Sequence, residues 1–352
     1  MFGKGKSKPL VGLDIGSSSV KAIELKKKGS GYELVNLGME PLGQDTVVDG
    51  AIMDALSVSQ AIEKIFTEHK IKVKDVATGV SGHSVIVKKI TIAAASEAEV
   101  ANAIYYEAQQ NVPFDLADVF KDYQILGPDA SGNGFDVMLV AVKREKVLNH
   151  TNVLNQAGKT PVVLDIDAFA LQNAFEASYE PPPDLMAALL NVGASIMNIN
   201  IVRNGVPLFT RDVSVGGNQY TDTLQKELDL SYEDAEKLKQ GKELPNVSAD
   251  QKTPHIRSVT EILLLEIQKT FDYFRQTAST ENIQHIYLAG GTARIESFSD
   301  ALKEEFNIAV EIMNPFQKMS INSSKFDVSY INEIAPRMAV AVGLALRSFD
   351  AS

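Results

Sequence analysis

A glycine- and serine-rich turn near the N-terminus carries residue types that bind phosphate. Gly16 allows a positive φ and close approach of a ligand, and the backbone N–H groups of such a turn form an anion-binding concavity. The serine hydroxyls would add donors, and Lys21 would add positive charge. Asp14 could hold Mg²⁺ through water, because this ion prefers oxygen ligands and keeps most of its hydration shell. The candidate ligands here are Asp14, Gly16, Ser17, Ser18, Ser19 and Lys21.

A second copy of the pattern favours phosphate binding over the alternative, a surface hairpin whose Asp and Ser only satisfy a turn. Residues 188–202, ALLNVGASIMNINIV, repeat strand, glycine, small polar turn and strand about half a chain later. Two such hairpins facing each other would hold a polyphosphate from both sides. The pair Gly216 and Gly217 precedes a predicted helix, where backbone amides could reach a phosphate. The pair Gly290 and Gly291 follows a predicted strand, where a flat base could lie against the backbone. The candidates in these stretches are Asn191, Gly193, Ala194, Ser195, Gly216, Gly217, Gly290, Gly291, Thr292 and Arg294.

Hydrophobic periodicity places these turns in an α/β chain. The N-terminal pattern predicts strands at 10–15, 20–25 and 31–38, a helix at 53–69 and a strand at 76–80. This βββαβ order is what a ribonuclease-H-like lobe requires. The later pattern predicts a strand at 161–166, helices at 167–178, 218–228, 232–240, 256–278, 295–306 and 331–349, and irregular chain at 242–254 and 313–328.

Four segments of the chain resemble motifs of the actin-like ATPase superfamily, which includes actin, the DnaK-type chaperones, sugar kinases and FtsA, and they occur in the same order. Residues 10–25 resemble its first phosphate loop, 189–202 its second, 280–306 its adenosine loop, and 335–347 its last connecting helix. The resemblance implies a two-lobed α/β fold with a duplicated ribonuclease-H-like core that closes on ATP and Mg²⁺.

The resemblance also implies roles for two pairs of residues. An acid and a lysine on one helix of these relatives bind the ribose hydroxyls and flank the adenine, and Glu236 and Lys239 match them. A solvated ion pair is the alternative for this pair. Asp165 and Asp167 lie near the place where relatives have a group that orients water, and helix capping is the alternative for them.

Residues 84–160 are predicted to form an inserted β-α-β-β-α subdomain. A capping box at Ser96 and Glu99 opens its first helix, and Pro113 follows the end of that helix. The order of elements resembles the small subdomain of FtsA and of the PilM family of type IV pilus assembly proteins, and the segment EAEVANAIYYEAQQNVPFDLADVFKDYQIL resembles the PilM family in particular. A generic compact α/β insert is the alternative.

The predicted division of the chain follows from these matches. The stiff segment 181–183, Pro-Pro-Pro, is predicted to cross between the lobes. The parts are a first lobe at 1–83 completed by 161–180 and 331–352, the inserted subdomain at 84–160, a second-lobe core at 181–225 and 283–330, and a helical second-lobe subdomain at 226–282.

The resemblance implies a cytoplasmic adaptor of the type IV pilus inner-membrane platform, which serves twitching motility. Its partners would be the N-terminal cytoplasmic peptide of a PilN-like membrane protein and other platform components. The peptide is expected in a groove formed by residues 81–142 and the adjoining first lobe. The protein would then be peripheral at the inner membrane through its partner, and a ring or filament of copies is possible.

Composition excludes several other classes. The formal net charge of −11 and the lack of a long basic stripe argue against general nucleic-acid binding. The chain has no cysteine, which excludes disulfides and thiolate metal sites. No run of about 18 apolar residues occurs, so the sequence predicts no membrane span.

The second phosphate loop departs from actin, which has two aspartates there that help hold the metal's waters and the attacking water. The matching positions are Asn191 and Ala194, so we expect Mg-ATP binding with at most very slow hydrolysis. Bound nucleotide would then set lobe closure and the shape of the peptide groove. The competing functions are an FtsA-like filament-forming division protein, and a sugar kinase, for which no substrate base can be singled out.

Overall fold

The computed structural model describes residues 9–129, 131–277 and 282–349. The strands are β1 (Val11–Ile15), β2 (Ser19–Lys28), β3 (Gly31–Pro41), β4 (Val47–Val48), β5 (Ala51–Ile52), β6 (Asp75–Val80), β7 (Val85–Ile92), β8 (Val119–Pro128), β9 (Phe135–Lys143), β10 (Thr160–Ile166), β11 (Ala187–Val192), β12 (Met197–Arg203), β13 (Val206–Val213), β14 (His285–Ala289) and β15 (Ala309–Ile312). The helices are α1 (Ala55–Glu68), α2 (Glu97–Asn111), α3 (Arg144–Gln156), α4 (Asp167–Ser178), α5 (Asn218–Leu228), α6 (Tyr232–Lys239), α7 (Ala249–Thr277), α8 (Phe298–Phe306), α9 (Val328–Ile334) and α10 (Ala339–Leu346).

Two five-stranded sheets with the same topology form the two lobes. The first lobe has the strand order β10-β6-β1-β2-β3, and the second lobe has the order β13-β12-β11-β14-β15. In each sheet an antiparallel hairpin, β1-β2 or β11-β12, continues into parallel strands on the other side of its first strand. This repeat confirms the predicted two-lobed, duplicated core.

Two helices, α4 and α10, lie between the sheets. One buried cluster combines Ile23 of the first sheet, Leu189 of the second sheet, Phe175 of α4 and Val342 of α10. The backbones approach so closely that a Cβ on Gly343 would lie 1.7 Å from the carbonyl oxygen of Ala170. The small side chains predicted for the last helix therefore let it pack against both lobes.

A three-stranded antiparallel sheet, β7-β9-β8, extends from the first lobe and is covered by α2. We call β7, α2, β8 and β9 the module. The helix α3, predicted as the last element of the inserted subdomain, buries Val153 and Leu154 against Ile62 and Ile65 of α1. By its packing α3 therefore belongs to the first lobe, and the boundaries 84–160 remain a prediction.

The predicted irregular segment 242–254 is wrong in its second half, because α7 begins at Ala249. Ser248 and Gln251 cap this helix reciprocally: the Ser248 backbone N–H donates to Oε1 of Gln251 at 2.9 Å, and the Gln251 N–H donates to Oγ of Ser248 at 3.3 Å. Pro254 lies inside the helix, close enough to its start that most of the helical hydrogen bonds are unaffected.

Other helix predictions need smaller corrections. The helix predicted at 331–349 begins at Val328, where Asp327 caps it, and a 3₁₀ turn at Ala335–Met338 interrupts it at Pro336. The helix predicted at 295–306 begins at Phe298, after a 3₁₀ turn at Gly291–Arg294. Strand β15 was not predicted. Residues 278, 280 and 281, which belong to the segments predicted at 256–278 and 280–306, lie outside the described residues.

The apolar residues of α7 do not all point into the core. Val259, Leu263 and Phe271 are buried as expected, whereas Ile262 and Leu265 are exposed. With 3.6 residues per turn, positions 262 and 265 lie on the face opposite the buried stripe.

Candidate functional site

A cleft of about 730 Å³ separates the two lobes and has glycine-rich turns on its walls. The predicted site residues converge there, although they come from distant parts of the chain. Gly216 alone among them does not line the cleft, and those that do are Asp14, Gly16, Ser17, Ser18, Ser19, Lys21, Asn191, Gly193, Ala194, Ser195, Gly217, Glu236, Lys239, Gly290, Gly291, Thr292 and Arg294.

The first phosphate loop connects β1 to β2. Asp14 and Lys21 are cross-strand neighbours, and the Lys21 Nζ lies 2.8 Å from Oδ2 of Asp14. Both side chains are largely buried. A Cβ on Gly16 would lie 3.3 Å from that Nζ, so a larger residue would crowd the lysine. The loop thus brings an ammonium group to the cleft with its backbone still accessible.

The second phosphate loop connects β11 to β12 and supports two glycine turns. The Gly217 N–H donates to the Gly193 carbonyl oxygen at 2.9 Å, and the Asn218 N–H donates to the Ala194 carbonyl at 2.8 Å. Gly290 has φ +90°, and a Cβ there would lie 2.2 Å from the Val192 carbonyl oxygen, so only glycine fits. These turns are held together by backbone contacts that tolerate no side chain.

The two phosphate loops face each other across the cleft. The hydroxyl groups of Ser17 and Ser195 form a hydrogen bond between the lobes. The two loops are therefore close enough to contact one polyphosphate from both sides.

Glu236 and Lys239 on α6 form the opposite end of the cleft wall. The Lys239 Nζ donates to Oγ1 of Thr221 at 2.8 Å and also bonds to Glu236. The side chain of Lys239 is 12% exposed and that of Glu236 is 22% exposed, which argues against a solvated surface pair. An acid and a base on the cleft wall can hold a vicinal diol, which has both donors and acceptors.

Asp165 and Asp167 separate in the structure. Asp167 lines the cleft as the first residue of α4, whereas Asp165 accepts from the Ile166 N–H at 2.8 Å and its Oδ2 lies 3.4 Å from Nε of Arg347. Neither residue is the N-cap of α4, a position that Ile166 occupies. The pKa of Asp167 is raised to about 7, mainly by burial and to a lesser extent by the charge of Asp14.

This raised pKa predicts a pH-dependent cost to stability. The carboxyl of Asp167 titrates near 7 in the folded state and near 3.8 when unfolded, so ionisation opposes folding as the pH rises between these values. Without nucleotide, wild type should therefore lose about 3 kcal/mol of stability relative to Asp167→Asn between pH 5 and pH 8. Urea unfolding of both proteins at the two pH values measures this difference. The surface variant Asp300→Asn should follow wild type, and parallel pH profiles for wild type and Asp167→Asn would contradict the prediction.

A hydrogen-bonded chain across the lobes was not predicted. Asn191 Nδ2 donates to Oδ1 of Asn198 at 2.8 Å, and Asn198 Nδ2 donates to Oδ1 of Asp212 at 2.8 Å. The second carboxylate oxygen of Asp212 accepts from the backbone N–H of Gly82 at 2.6 Å. Sequence reasoning could not find this contact, because Asp212 and Gly82 are 130 residues apart.

Two cations near the cleft were also missed. Lys146 of α3 is buried, and its Nζ donates to the Ser81 carbonyl oxygen at 2.5 Å. Burial lowers the pKa of Lys146, and the nearby carboxylates of Asp167, Asp49 and Asp212 partly oppose this shift. Arg337 lines the cleft, and its pKa is lowered by burial. Neither residue belongs to a recognisable local motif, so the sequence held no signal for them.

Comparisons with known proteins agree with this geometry. The family model of type IV pilus assembly protein PilM matches residues 12–349. A solved PilM-PilN type IV pilus biogenesis complex is similar over 99% of this chain and 100% of that chain, with 26% identity and a TM-score of 0.87. MreB5 of Spiroplasma citri bound to ADP shares the fold, with 13% identity, a TM-score of 0.54 and coverage of 96% and 95% of the two chains.

A cell division protein FtsA from Staphylococcus epidermidis is 22% identical, over 94% of this chain and 79% of its own length. No helix in the described part of the chain is long and apolar enough to cross a membrane. The family match covers nearly all of the chain and includes both phosphate loops and the residues that line the cleft. The chain therefore belongs to the PilM family of type IV pilus assembly proteins.

Proposed function

We propose that this protein is an ATP-binding, actin-like adaptor that binds the N-terminal cytoplasmic segment of a PilN-like membrane protein. The observation that carries the proposal is an unpaired, apolar sheet edge beside the module, formed by β10. The similar solved complex contains PilM and PilN, which supports this class of partner. The partner would place the protein at the cytoplasmic side of the inner membrane, in the pilus assembly platform.

The cleft supports the nucleotide half of the proposal. Its facing phosphate loops suit a triphosphate, and its wall with Glu236 and Lys239 suits a ribose. In the described ranges, no group of three or more His, Cys, Asp and Glu side chains could hold a metal ion. Mg²⁺ would therefore depend on phosphate oxygens and water, with the Asp14 carboxylate accepting hydrogen bonds from that water.

The edge strand β10 supports the peptide half. Among the described strands it pairs only with β6, so its outer backbone groups are open to another strand. Val162 and Leu164 are 49% and 38% exposed. Leu164 shares a strand face with Ile166, which packs on the module residue Val142, and Val162 lies at a β-bulge between Pro161 and Val163. The helix α3 contacts β10, and its residue Leu148 is also exposed. This surface suits an extended apolar peptide that adds to the edge through main-chain hydrogen bonds.

The proposed groove lies slightly apart from the one expected from sequence. It centres on β10 and α3, which belong to the first-lobe side of the expected groove, rather than on residues 81–142. Module residues still contribute, because Val85, Val87 and Val140 pack against the cluster that contains Ile166.

A charge in this groove should strongly weaken peptide binding. Leu164→Asp should weaken binding of a labelled PilN N-terminal peptide by on the order of 10²-fold, since it removes apolar contact and places a carboxylate against apolar residues. The matched control is Ile312→Asp, because Ile312 is similarly exposed on β15, the equivalent edge strand of the second lobe. Fluorescence anisotropy measures both. Equal affinities for the two variants would reject this groove.

A further inference from the structure

The turn between β6 and β7 contacts both the nucleotide cleft and the groove helix. Its residue Gly82 donates its N–H to Asp212 of the second lobe, and Asp212 is linked through Asn198 to Asn191 on the cleft wall. Gly82 has φ +89°, and a Cβ there would lie 3.0 Å from the Asp49 carbonyl oxygen. The turn is therefore held in one conformation by its surroundings, directly before the module begins.

The same turn is joined to α3 from the other side. The buried Lys146 of α3 donates to the carbonyl oxygen of Ser81, the residue before Gly82. Two residues later α3 presents Leu148 to the proposed peptide groove. A displacement of the turn therefore moves the start of β7 and the Ser81 carbonyl that accepts from Lys146 of α3.

We propose that the turn at Ser81 and Gly82 couples the nucleotide cleft to the peptide groove, with Asp212 as its contact on the second lobe. This inference rests on the proposed function. Two states of the molecule differ at this contact: with the lobes together, Asp212 accepts from the Gly82 amide, and with the lobes apart, both groups bond to water. A triphosphate that bridges the two phosphate loops stabilises the first state. A peptide that fits the groove of that state then binds more tightly.

A second polar contact joins the lobes nearby, and it is weaker. Asp49 bonds to Ser214 of the second lobe and lies 2.7 Å from Nδ1 of His83. These side chains are exposed, and exposed charged pairs contribute little because water competes with them. Of the two, the contact through Asp212 lies deeper and continues through Asn198 to Asn191 beside the phosphate loop. This difference assigns the coupling to Asp212 and makes Asp49 the control.

Calorimetry on the full chain tests the coupling. The Kd of the PilN N-terminal peptide is measured with and without saturating Mg²⁺ and a non-hydrolysable ATP analogue, and nucleotide should tighten peptide binding in wild type by about 5-fold or more. Linkage requires that saturating peptide tighten nucleotide binding by the same factor. Asp212→Asn should bind each ligand alone within about 3-fold of wild type, with a coupling factor near 1, because an amide cannot accept with both of its side-chain atoms. Asp49→Asn should keep the wild-type factor.

Outcomes separate this inference from the function on which it rests. If wild type binds both ligands without coupling, or if Asp212→Asn retains the coupling, the inference is overturned and the proposed function stands. If wild type binds no peptide, the proposed function fails and the inference fails with it. Should Asp212→Asn not fold, Lys146→Met tests the turn from the side of α3 and should also bring the factor near 1. In wild type, Mg²⁺ and the analogue should slow hydrogen exchange of the Gly82 amide, and unchanged exchange would count against the inference.

Discussion

Replacing Lys21 with alanine is expected to weaken Mg-ATP binding by on the order of 10²-fold. A charge-assisted hydrogen bond contributes about 1.5–3 kcal/mol, and each 1.4 kcal/mol is a factor of ten in Kd. The Lys21 Nζ also lies 2.8 Å from Asp14, so truncation leaves that carboxylate to repel the phosphates. Asp14→Ala should have a smaller effect, because it removes the acceptor for metal-bound water but leaves the ammonium. Calorimetry with ATP and Mg²⁺ measures both affinities.

Lys303→Ala is the matched control, because Lys303 forms an exposed ion pair with Asp300 away from the cleft. It should bind nucleotide as wild type does. Wild type itself should release phosphate only over hours, since neutral Asn191 and Ala194 lie in the second loop where actin has aspartates. Unchanged ATP affinity in the double variant Asp14→Ala, Lys21→Ala would contradict the site, and turnover of several per second would contradict slow hydrolysis.

Replacing Gly343 with alanine should destabilise the protein by about 3 kcal/mol or more. In an exposed helix the same change stabilises by about 1 kcal/mol, because alanine is the better helix former. Here the new Cβ would lie 1.7 Å from the Ala170 carbonyl oxygen and 2.4 Å from its carbonyl carbon. These are backbone atoms of α4, so α4 and α10 must move apart and lose contacts in the core that joins the lobes.

Thermal and urea unfolding measure this loss. Gly31→Ala is the control, because the nearest atom to a Cβ at Gly31 is 3.7 Å away and its φ is not positive. That variant should be within about 0.5 kcal/mol of wild type, as is usual for a surface substitution. A Gly343→Ala protein as stable as the control would show that the helices adjust without cost.

Short sequence motifs, together with the family resemblance that they carry, predicted the two-lobed fold and the residues that converge at the cleft. The phosphate loops need glycine, serine and a nearby charge in short segments, and strand and helix periods repeat within a few residues. The repeated hairpin came from that pattern, and the duplicated core came from the resemblance; the structure confirms the duplicated strand order and brings both loops to the cleft. The capping pair of Ser248 and Gln251 was equally local, and the polar residues around it concealed the start of α7.

Contacts between distant segments were decided only by the tertiary structure. Asp165 and Asp167 are two residues apart, yet the change from strand to helix at Ile166 directs only Asp167 into the cleft. The contacts of Lys146 with Ser81 and of Asp212 with Gly82 span 65 and 130 residues. The position of β10 at the edge of its sheet follows from strand order, which the residues of β10 do not encode. Burial and neighbouring charge arise only when the lobes come together, so the pKa of Asp167 and the chain of bonds through Asp212 belong to the folded molecule.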